Sequence, residues 1–116
     1  MLKISLDEAY VFDLLAIYAT KINNSEGEKK EISLQSFHNL SDEIIEQIGY
    51  PLYEDILRSD EYKGLLDANQ NVFTLVDRAG ETELSKITAD ANYERYLKKV
   101  ALQTKFFTNT LTEVKI

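Results

Sequence analysis

The sequence predicts an all-α fold, an antiparallel bundle of four to five helices with an extended C-terminal tail. Three observations carry that reading. Apolar residues recur at steps of three, four and seven through most of the 116 positions, the spacing that gathers them on one side of a helix. Gly49, Pro51 and Gly80 stand where periodic stretches stop or start, as helix-ending glycines and helix-opening prolines do. The stretch from Thr88 to Phe107 runs without Gly or Pro, long enough that it must lay its apolar side on other helices.

The first helix is expected from Leu6 to Ile22. Ser5 and Glu8 have capping-box spacing, and Asp7 places negative charge in the first turn, where the helix dipole favours it. Val11, Leu15, Tyr18 and Ile22 form one stripe, with Tyr10, Leu14 and Ile17 beside it and Phe12, Ala16 and Ala19 further round. So wide an apolar surface implies cover on several sides, either a central position or a subunit interface. The interface is preferred and predicts a homodimer. Asp13 interrupts this surface. It is either a carboxylate paired with a basic residue of a neighbouring helix or a buried acid facing a pocket, and in both cases it requires a partner.

Asn23 to Lys30 reads as a polar loop. The second helix is expected from Ser33 to Ile48 on Leu34, Phe37, Leu40 or Ser41, Ile44, Ile45 and Ile48. Gly49 ends it and Pro51 opens a short third helix through Leu57. Ser59 caps a long helix from Asp60 to Ala79, which Gly80 stops. Asn69 lies within its apolar stripe, either fixing helix register or touching a ligand. Gly80 to Ile87 is expected as a connection with a short turn near Leu84. The final helix then places Ala89, Tyr93, Tyr96, Leu97, Val100 and Phe107 on its buried side, with Thr88 or Asp90 capping it and Glu94 paired to Lys98. Leu111 to Ile116 reads as the extended tail, and the whole as one helical domain over 1–116.

Composition narrows function. Twenty acidic against thirteen basic side chains give a net charge of −7, so binding to phosphate backbones through a basic face is not expected. With no Cys there is no disulfide and no Cys-ligated metal. The N-terminus lacks the pattern of a signal peptide, and the apolar run from Ala9 to Ala19 is shorter than the roughly 20 residues that span a bilayer. A cytoplasmic protein that binds neither membrane nor nucleic acid is expected. No cofactor and no metal is expected. His38 is the only histidine and reads as a surface or packing residue. Glu43 and Glu46 supply one Glu-x-x-Glu pair of the kind that holds Mg²⁺ in all-helical nucleotide pyrophosphohydrolases of the MazG type. The second carboxylate pair of that site has no counterpart on the following long helix, so the two read as a solvated face.

Three segments resemble a family of small uncharacterised all-helical proteins from bacteria and marine phages. Asp13 and Lys21, with Leu15, Ile17 and Tyr18 between them, are similar to its N-terminal segment. Asn69, Val72, Phe73, Leu75 and Asp77 are similar to its middle segment, and Asn92, Arg95 and Lys99 to its third. Bacterial members occur near genes for sugar transfer to surface polysaccharides, which the resemblance offers as a setting. It also picks out Asp13, Asn69, Asp77, Asn92, Arg95 and Lys99 as polar residues that helical stripes alone do not require. Asn92, Arg95 and Lys99 lie three and four apart and so share a helix face. The set is expected either as an interhelical salt-bridge network or as a polar pocket for an anionic small molecule. The leading expectation is a non-enzymatic helical interaction or structural protein of phage or bacterial origin. The alternative is a bundle that binds a phosphorylated or sugar-linked ligand, or a MazG-like all-α enzyme, using that polar set.

Overall fold

The computed structural model describes residues 7–77 and 84–107, with side chains described for 7–75 and 88–107. Those residues form five α-helices and no strand: α1 (Glu8–Asn23), α2 (Gly27–Ile48), α3 (Tyr50–Leu57), α4 (Asp60–Asp77) and α5 (Leu84–Phe107). They make an antiparallel helical bundle. The tail expected from Leu111 to Ile116 lies outside the described residues.

α4 and α5 form the most extensive pairing. Gly64 lets them approach closely: a Cβ there would come within 3.2 Å of Lys98 Cδ, whose alkyl stem lies across the glycine. α1 packs on α2, α4 and α5, while α3 bridges α2 and α4. α1 therefore occupies the central position, which covers much of its wide apolar surface within the chain. Ala9, Phe12, Leu15 and Ala16 of α1 meet Ile44, Tyr53, Ile56, Tyr62, Leu65 and Leu102 in one core. Phe12 is 2% exposed, with Tyr62 edge-on at 6.5 Å and Phe107 at 6.4 Å. Burying such a side chain contributes about 1.5–3 kcal/mol.

The punctuation acts as expected in two places. Gly49 adopts φ +88° between α2 and α3, a region costly for a residue with a Cβ. Its N–H bonds Ile45 O at 2.8 Å, and Pro51 falls in the first turn of α3. Tyr53 then ties α3 back to α2 by donating to Ser41 Oγ at 2.8 Å, both residues being buried. Ser59 Oγ accepts from Tyr62 N–H at 3.1 Å, a cap worth about 1 kcal/mol.

Three boundaries differ from expectation. α2 starts at Gly27 rather than Ser33. The residues from Glu28 to Ile32 are exposed, and the Glu and Lys among them favour helix by intrinsic propensity without an apolar anchor. α5 starts at Leu84, so Leu84 to Ile87, expected within the connection, belong to the helix, and Thr88 and Asp90 lie inside it rather than capping it. α1 starts at Glu8 with Asp7 as N-cap, and Asp7 makes no side-chain capping bond.

The buried side of α5 is also not the expected one. Ala89, Tyr93 and Leu97 are exposed, while Ala91, Lys99, Leu102 and Gln103 are buried. Tyr93 stacks on Tyr96 at 6.3 Å along the outer surface instead. Hydrophobicity misassigns this face because two of its four buried residues are polar and answer to polar groups on α1.

Candidate functional site

Asp13 sits mid-way along α1 and is 3% exposed. A buried carboxylate persists only with partners, and α4 and α5 each bring one. Asn69 donates through Nδ2 to Asp13 Oδ1 at 2.9 Å and to Leu65 O at 3.0 Å. Arg95 Nε lies 3.7 Å from Asp13 Oδ2. The structure thus brings together three of the six sequence-derived residues, Asp13, Asn69 and Arg95, one from each of the helices α1, α4 and α5.

The other three fare differently. Lys99 is buried one turn beyond Arg95 and carries its ammonium 5.7 Å from the Tyr10 ring centroid. Asn92 does not share this face: it is exposed and donates to Thr88 O at 3.1 Å within its own helix. Three residues before Arg95 is 300° of helical rotation, 60° short of a full turn. That angle carries Asn92 off the buried line, which runs in steps of four. Asp77 closes α4, and its side chain lies outside the described residues.

Gln103, which no apolar pattern reveals, continues the same steps of four from Arg95 and Lys99. It is fully buried. Its Oε1 accepts from Ala9 N–H at 2.8 Å, and its Nε2 donates to Glu8 Oε1 at 3.0 Å. α5 therefore caps the N-terminus of α1, which its own N-cap residue leaves unsatisfied. The signal that could have found it is the spacing of Arg95, Lys99 and Gln103, a polar line along one helix.

Further polar contacts surround the core. Asn24, after α1, and Gln70 on α4 exchange amide hydrogen bonds of 2.7 and 3.3 Å. Lys105 lies 3.0 Å from Glu61 Oε1, and hydrogen bonding from Lys105, with help from the backbone, lowers the Glu61 pKa. Burial raises the Tyr62 pKa well above the ordinary phenol value, and the nearby Tyr53 and Asp13 add to the rise.

Two concavities adjoin these residues. A cavity of about 210 Å³ between α1, α4 and α5 is lined by Ile17, Thr20, Lys21, Asn69, Val72, Phe73 and Arg95. An open cleft of about 360 Å³ runs between α1 and α2. Phe12 and Ile44 form its floor, Val11, Leu14, Leu40 and Ile48 its sides, and Glu8, Tyr10, Glu43 and Gln47 complete the lining.

No protein-family model, curated protein or solved structure matches the chain. Among the described residues no three of His, Cys, Asp or Glu converge closely enough to hold a metal ion. Glu43 and Glu46 are both exposed, and so is His38, whose ring meets Phe37 edge-on at 6.2 Å. No described helix is long and apolar enough to cross a membrane.

Proposed function

We propose that this is a helical interaction protein whose α1–α2 cleft receives a basic amphipathic helix from a partner protein. One observation carries the reading. The cleft offers apolar sides with Glu8 and Glu43 as its charged lining. The segment from Glu31 to Leu57, which forms its α2 side and the following helix, holds six acids and no Lys or Arg. Apolar anchors at helical spacing would enter between Leu14 and Leu40, and flanking cations would meet Glu8 and Glu43. The buried Asp13–Asn69–Arg95 contacts belong, in this reading, to helix order.

A second copy of the chain is the rival occupant, as the expected homodimer would supply. Its α2 would bring acid against acid, which favours a basic partner over a second copy. The phage or bacterial origin rests on the resemblance of three segments alone, and a cytoplasmic, non-enzymatic role is part of the same proposal.

The test is a titration of a labelled lysine-rich amphipathic peptide, with its glutamate-rich counterpart as comparison, followed by anisotropy. The lysine-rich peptide should saturate, weaken with added salt and lose about three- to tenfold in affinity on Glu43→Lys. Equal binding of both peptides, or none, defeats the proposal. Light scattering that gives a dimer with Val11, Leu14 and Leu40 protected assigns the cleft to a second copy.

A further inference from the structure

Arg95 forms part of the wall of the cavity between α1, α4 and α5, yet its guanidinium makes no hydrogen bond to another described residue. Its ion-pair partner among the described residues, Asp13 Oδ2, is 3.7 Å from Nε, beyond hydrogen-bond reach. Asp13 is meanwhile held by Asn69 on its other oxygen. A guanidinium presents its donors as a rigid planar fork that matches a carboxylate, and Arg95 is one of the residues that line the cavity. Lys21 adds a second positive charge, and among the described residues no acid lines the cavity.

The remaining walls are Ile17, Val72 and Phe73 with Thr20 and Asn69, whose donors are already given to Ala16 O, Asp13 and Leu65 O. At about 210 Å³ the cavity is smaller than the roughly 300–1,000 Å³ of drug-sized sites. A sugar phosphate would lose hydration of its several hydroxyls against walls that offer few replacement partners, since the Thr20 and Asn69 donors are engaged. We infer that the cavity binds a small monocarboxylic acid with an apolar body. The carboxylate sits between Arg95 and Lys21, and the body lies against Ile17, Val72 and Phe73. This site is separate from the α1–α2 cleft and stands whatever occupies that cleft.

Phenylacetate is a suitable probe, titrated into isotope-labelled protein beside phenylacetamide and inorganic phosphate. The acid should saturate with amide shifts centred on Thr20, Lys21, Val72 and Phe73. The neutral amide should bind at least about tenfold more weakly. Because Arg95→Ala leaves Asp13 buried without its counter-ion and can unfold the chain, the variant of choice is Lys21→Ala at an exposed position. It should weaken the acid by about three- to tenfold with an unchanged far-ultraviolet spectrum. Equal binding of acid and amide, phosphate as tight as the acid, shifts centred elsewhere, or no saturation below about 10 mM would each overturn the inference.

Discussion

Replacing Gln103 with Leu tests the polar contact that joins the two ends of the described chain. The substitution nearly conserves volume but removes both hydrogen bonds, to Ala9 N–H at 2.8 Å and to Glu8 Oε1 at 3.0 Å. Ala9 is fully buried, so its N–H is left without a partner, which costs about 1–3 kcal/mol. The half-exposed Glu8 recovers a bond from water and adds little. The apolar gain of Leu offsets part of the loss, leaving a net destabilisation of about 2 kcal/mol. At about 4 °C per kcal/mol for a domain of this size, Tm should fall by about 8 °C. Urea denaturation followed by circular dichroism measures it, with Glu8→Gln as the comparison that keeps the capping bond and costs under about 1 kcal/mol. A Gln103→Leu protein as stable as the parent would refute the claim that α5 caps α1.

The buried pair Asp13 and Asn69 should be non-additive. Asn69→Leu strips Asp13 of a donor and should cost about 3 kcal/mol, whereas adding Asp13→Leu should recover part of it, with a coupling of about 1–3 kcal/mol by urea denaturation. Simple additivity would mean that the two residues do not interact. The lowered Glu61 pKa means that the folded state binds fewer protons there than the unfolded chain. Its contribution is complete above the ordinary carboxylate value and disappears as pH falls through the lower folded value. Carboxyl NMR should show that Glu61 titrates below the other glutamates and rises in Lys105→Met; an unmoved midpoint would remove Lys105 as the cause. The raised Tyr62 pKa has the opposite sense: above about pH 10 the unfolded chain releases a proton that the folded one keeps, so stability falls as pH rises. Ultraviolet titration should find one tyrosine that resists ionisation and disappears in Tyr62→Phe, and a uniform titration would contradict its burial.

Much of this architecture is legible in the sequence because punctuation residues act locally. Ser59 caps, Gly49 turns and Pro51 opens a helix through their own backbone chemistry, with no need of distant partners. Periodicity also identifies Leu15 and Ile44, which are buried. It fails on α5, where Tyr93 and Leu97 look like core and are exposed, while Lys99 and Gln103 look like surface and are buried. Those burials are decided by groups far away in sequence, at Glu8, Ala9 and Tyr10, and a one-dimensional pattern does not contain them. The same limit divides the polar set. Asp13 and Asn69 are conspicuous because each interrupts an apolar stripe, and both belong to the buried cluster. Asn92 is picked out by the resemblance and expected to share a face with Arg95, yet its three-residue spacing places it outside the face that meets α1.

The central position of α1, gripped through Asp13 by α4 and α5, is tested most directly by native-state hydrogen exchange. Amides from Phe12 to Ala16 should exchange only through global unfolding, with a free energy equal to that from urea denaturation and at least as high as any in α2 or α3. Exchange of those amides through a lower-energy local opening, while α4 and α5 stay protected, would contradict the account.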